Sequence, residues 1–149
     1  MKTKLIAKSI AACSLLAALA IALAAPVSAQ TLTQKFSVPF DFVVRGRTMP
    51  AGDYWIGPAA NNDSASLVRN VSSGTTALAI TFSAPAERPG DRDKAWLVFH
   101  RYGADYFLAG IWDGDTAIGR AIPMSRAERE RAKTASLGKP EAVVVMARL

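Results

Sequence analysis

Cysteine and histidine are almost missing from this chain: 149 residues hold one of each, Cys13 and His100. Cys13 sits in an apolar N-terminal stretch, so the rest of the chain has no thiol. That excludes disulfides, thiolate metal sites, a cysteine nucleophile and CxxC redox chemistry. A single histidine excludes a histidine-rich zinc or copper centre. No serine lies in a G-x-S-x-G elbow and no Walker or dinucleotide-type glycine loop occurs, so the catalytic and nucleotide-binding classes that carry such motifs have no support. A Ser-His-Asp triad stays open by count alone. A clustered basic patch is lacking too. Of the 18 Lys and Arg, Lys2, Lys4 and Lys8 precede residue 30, leaving 15 against 12 acids, a net +3 with both signs interspersed. This is ordinary solubility and not a nucleic-acid footprint.

What is present begins with an export pattern. Residues 1–29 show a basic start, an apolar stretch from Ile10 to Ala25, and the end Val27-Ser28-Ala29. Small residues at the last and third-last positions predict a secretory signal cleaved before Gln30. The alternative is a retained anchor, disfavoured because no charged stop follows the run. Ile10-Ala11-Ala12-Cys13 also fits a loose lipoprotein box, but most of the apolar run comes after it. Cleavage would leave residues 30–149 as one domain of 120 residues, without a transmembrane segment and placed in the periplasm or outside the cell.

From Gln34 onward short apolar or alternating segments are separated by Gly, Pro, Asn and Asp, the pattern of antiparallel β structure. Strands are expected near 34–45, 53–59, 65–71, 75–83, 94–101, 105–112, 116–122 and 141–148. About eight strands predict a mainly β fold, either a sandwich or a small barrel. Phe36, Val38, Phe40 and Phe42 share one parity and are expected to line one core face. Pro85 to Asp93 reads as an exposed loop. Val143-Val144-Val145-Met146 is apolar on both faces, which predicts a central or covered last strand. One short surface helix is expected over Arg126 to Ala135. Its start, Ser125-Arg126-Ala127-Glu128, reads as a capping box in which Ser125 accepts from the Glu128 N–H and the Glu128 side chain reaches back. Arg126 with Glu130, and Glu128 with Arg131, are spaced to pair along the helix.

Few residues offer chemistry. His100 needs an orienting acid to act as a base, and Asp105, across the expected hairpin, is the nearest in sequence. Asp113 and Asp115 flank Gly114 and resemble a weak calcium-catching turn, but EF-hand spacing is absent. The basic helix residues are offset by Glu128 and Glu130, which weakens any lipid-binding reading. Tyr54, Trp55, Trp96, Tyr102, Tyr106 and Trp112 fall on neighbouring strands. Most should be core, while alternation aims some at a ligand or partner surface.

Two blocks carry a resemblance. Phe36-Ser37-Val38-Pro39-Phe40-Asp41-Phe42 with Met49-Pro50-Ala51-Gly52-Asp53-Tyr54 is the first. The second joins the run Phe99 to Ala109 with Ser125-Arg126-Ala127-Glu128-Arg129-Glu130. Together they resemble a group of small uncharacterised exported proteins from environmental Gram-negative bacteria, whose usual first block is V/I-P-F-x-F followed by L-P-A-G-x-Y. Met49 stands where Leu is usual. The resemblance implies an exported β domain and carries no established activity.

The sequence therefore points to a non-enzymatic envelope or periplasmic binding module without cofactor. An apolar small ligand among barrel aromatics is the alternative, and a hydrolase using His100 is a more remote one. An envelope protein or a small apolar molecule is the expected partner, and nucleic acid is not.

Overall fold

The computed structural model describes residues 33–59, 62–85, 94–114, 118–135 and 139–148. The chain there is mainly β, with one helix near the C-terminus. Its strands are β1 Gln34–Val38, β2 Phe42–Val44, β3 Arg47–Met49, β4 Gly52–Ala59, β5 Asn62–Asn70, β6 Thr76–Ile80, β7 Phe82–Pro85, β8 Trp96–Tyr102, β9 Asp105–Trp112, β10 Ile118–Ala121 and β11 Glu141–Met146. The helix, α1, covers Arg126–Thr134.

Two sheets divide these strands. The first runs β1-β4-β5-β6 and the second β11-β8-β9-β10-β7, with the β2-β3 hairpin attached to β9. Phe36, Val38, Tyr54, Ile56 and Val68 from the first sheet meet Leu97, Phe99, Leu108 and Ile111 from the second in one buried core. Phe42, Val44 and Met49 of the hairpin complete it. The expected phenylalanine face is present, with Phe40 half-buried against the same core.

The sheets are not closed into a barrel, which leaves the sandwich of the two expected architectures. First and last strands meet at one isolated bridge, Phe36 with Ala147, beside the hydrogen bond from Arg148 N–H to the Lys35 carbonyl (3.0 Å). A corner contact of that kind joins two sheets without making a continuous ladder between them.

Three expectations are corrected by long-range pairing. The single strand over 34–45 is two, because Pro39 cannot extend a ladder and the chain changes sheets between Val38 and Phe42. The single strand over 75–83 also changes sheets, at Thr81, whose N–H bonds the Ser64 carbonyl at 2.8 Å. β11 is an edge strand, not a central one: it pairs only with β8, and Val144 and Met146 are exposed. The strand buried on both faces is β9. The loop expected over 85–93 lies outside the described residues apart from Pro85, which ends β7.

β3 was not anticipated. Its hairpin turns at Arg45 (φ 48°) and Gly46 (φ 90°), two left-handed residues in succession, the geometry of a type I′ turn. Arginine is an unusual occupant of the first position, so the usual Asn-Gly signal is missing from the sequence.

Candidate functional site

The outward face of the second sheet carries the residues that merit a functional reading. Ala109 is an extra residue in β9, between Leu108 opposite Phe99 and Gly110 opposite Val98. Such a bulge shifts side-chain parity, so Phe107 before it and Ala109 within it share the outer face with Trp112 after it, while Leu108 and Ile111 stay in the core.

Trp112 lies flat on this face. A Cβ on Gly110 would sit 2.0 Å from its ring and one on Gly119 would sit 1.9 Å from Nε1, so both glycines clear the space the indole occupies. Trp96 stacks parallel to it at 6.1 Å and 1° between planes. Beside them Val98, Ala109, Ala121 and Val144 shape an open apolar groove of about 580 Å³, in which, among the described lining residues, His100 and the Trp112 indole N–H are the polar groups.

His100 does not use Asp105. Its Nδ1 lies 2.7 Å from Glu128 Oε1, and Glu128 is 3% exposed. Asp105 instead pairs with Arg131 of α1. Both contacts tie α1 to the second sheet, and they rearrange the helix charges from the expected pattern. Ser125 accepts from the Glu128 N–H at 3.1 Å, as the capping box requires. The reciprocal half is absent, because the Glu128 carboxylate turns to the histidine. Glu130 pairs with Lys133 rather than Arg126. The signal for Glu128 was its place in the capping box, which gave no hint of a tertiary partner 28 residues away.

A carboxylate only accepts, so Glu128 holds a proton on Nδ1 of His100, and in the neutral form of the ring Nε2 is left as an acceptor. This could serve a general base. Among the described residues no hydroxyl bonds His100.

The other candidates scatter. Tyr54 is core, and its hydroxyl donates to the Pro50 carbonyl. Burial pushes its phenol pKa up. Tyr106 stacks on Phe40 at 3.8 Å with Arg101 over its ring. Tyr102 is buried beside Phe107, and its hydroxyl has no partner among the described residues. Burial, and secondarily the Glu128 charge, raises its pKa. Asp113 accepts from Arg120 at 2.8 Å, while Asp115 lies outside the described residues. Among the described residues no three His, Cys, Asp or Glu side chains gather as a metal site.

Trp55 faces away from all of these. It stands 42% exposed on the outer side of the first sheet with Leu67, Leu78 and Ile80, a second apolar surface. The two blocks noted in the sequence also have clear structural duties. Asp41 Oδ1 accepts from the Ala51 N–H at 2.7 Å, and Gly103 takes the left-handed turn (φ 64°) between β8 and β9.

Fold and groove together define a β-sandwich with an apolar outer face. No family model, curated protein or solved structure matches the chain. No helix among the described residues is long and apolar enough to cross a membrane.

Proposed function

We propose that this chain is an exported, non-enzymatic binding module that takes an apolar ligand on the outer face of its second sheet. The groove over Trp112 is the observation that carries this reading. Its volume of about 580 Å³ falls in the range of small-molecule sites, roughly 300–1,000 Å³, and the described residues lining it are apolar except for His100 and the Trp112 indole N–H. The N-terminal signal pattern and the resemblance to exported proteins support a periplasmic or extracellular setting. Native mass spectrometry of protein purified from its own envelope fraction tests the proposal. A mass excess that disappears on denaturation is expected, and a bare chain would overturn it.

A second reading, a protein partner, is favoured by the exposed Trp55, Leu67, Leu78 and Ile80 of the first sheet. Contiguous apolar surface of this kind marks association sites. Crosslinking in the envelope fraction, repeated with Leu78→Lys, separates the two: a partner lost in the variant assigns function to this face.

A further inference from the structure

Resting on that binding reading, the geometry assigns the groove a ligand class: an elongated, neutral apolar molecule bearing one hydroxyl, which donates to His100 Nε2. Three observations converge on it.

The first is extent. The groove takes lining residues from β7, β8, β9, β10 and β11, so it crosses the five strands of the β11-β8-β9-β10-β7 path of the second sheet. Five strands at the usual spacing span about 19 Å between the outer two. A long narrow molecule laid across the strands fits that path, and a compact one would leave most of it open.

The second is charge. Among the described residues no Lys, Arg, Asp or Glu lines the groove. Arg120, on β10, is committed to Asp113 at 2.8 Å. An anionic headgroup would therefore find no cation among the described residues, and it would meet the Glu128 carboxylate behind the imidazole. A cationic headgroup would lie beside an apolar floor with its counter-charge already engaged by His100.

The third is hydrogen-bond polarity. Glu128 accepts from Nδ1, so the neutral form of the ring presents a lone pair at Nε2, for which no partner is found among the described residues, and it is this form that the hydroxyl assignment requires. The complementary group on a ligand is a donor, and a hydroxyl supplies one without charge. Because Glu128 is 3% exposed, solvent does not reorient this pair freely.

The test compares 1-dodecanol with dodecanoate, titrated into the purified protein at about pH 8 and followed by tryptophan fluorescence and calorimetry, with Trp112 as the reporter within the groove. Wild type should bind the alcohol about tenfold more tightly than the carboxylate, the worth of one well-placed hydrogen bond. Glu128→Gln gives residue 128 an N–H donor, which lets His100 carry its proton on Nε2, and the preference should shift toward the carboxylate. Val144→Glu, on the exposed edge strand, should weaken both probes without touching the His100 pair. Equal or tighter dodecanoate binding by wild type overturns the hydroxyl assignment and leaves the binding module standing. If neither probe binds, the assignment fails, and a bare chain in the native mass spectrum then removes the binding reading as well.

Discussion

Gly119→Ala would place a methyl group where the Trp112 indole now lies. The added Cβ would come 1.9 Å from Nε1 and 2.2 Å from Cδ1 and Cε2, closer than any packed pair tolerates. Gly119 is not in the left-handed region, so alanine itself is compatible with the backbone there. The whole cost must then come from the ring. Trp112 can respond only by rising off the sheet, which exposes the ring face now packed on Gly110 and Gly119 and loosens its stack on Trp96. One indole face is about 100 Å², half of the roughly 200 Å² an aromatic side chain buries. At about 25 cal/mol per Å² the loss is about 2.5 kcal/mol, or about 10 °C in Tm for a domain of this size. Urea denaturation followed by tryptophan emission measures it, and the emission should move to the red as the ring meets water. The decisive control is the same substitution in Trp112→Ala. There the indole that the methyl group would strike is gone, and the cost should fall below about 0.5 kcal/mol, giving a coupling near 2 kcal/mol. An equal cost in both backgrounds would refute the packing argument and assign the glycine to the backbone instead.

Arg45→Asn should stabilise the fold by about 0.5–1 kcal/mol, because asparagine accepts the left-handed geometry at the β2-β3 turn more readily than arginine; loss of stability in chemical denaturation would contradict the turn assignment. Tyr102→Phe deletes a buried hydroxyl with no partner among the described residues and should be neutral or stabilising by up to about 1 kcal/mol, so a clear drop in Tm would show that the hydroxyl is satisfied after all. The Asp53 carboxylate is held below its ordinary pKa first by the Ser37 hydroxyl (2.7 Å) and then by Lys35 (3.0 Å). A lowered acid pKa means the unfolded chain binds the proton more readily, so this contribution is present above the ordinary carboxylate value of 3.8 and is lost as pH falls below it through the folded value. Ser37→Ala should flatten that part of an acid denaturation curve, and an unchanged acid limb would count against the contact.

Local chemistry was legible in the sequence, and partner choice was not. The helix start at Ser125 and the turns at Gly74 and Gly103 follow from residues that satisfy or bend their own backbone. The parity of Phe36, Val38 and Phe42 survived even though the chain changes sheets among them, because all three still face one core. The edge position of β11 escaped because an apolar run reads the same whether one neighbour or two lies beside it. Part of the candidate site was visible in His100 and Trp112. Its acid was misassigned, since nearness along the chain favoured Asp105 and packing chose Glu128.

By itself the amino-acid order determined the fold class and bounded the chemistry: β strands from alternation, one capped helix, and a chain with a single cysteine and a single imidazole. Tertiary structure alone decided that two sheets stay open instead of closing, since closure depends on whether β1 and β11 share a ladder or a single bridge. It also decided which carboxylate fixes the proton of His100 and why Gly110 and Gly119 have no side chain. Those features depend on residues distant in sequence meeting at ångström separations, and no local propensity encodes such distances.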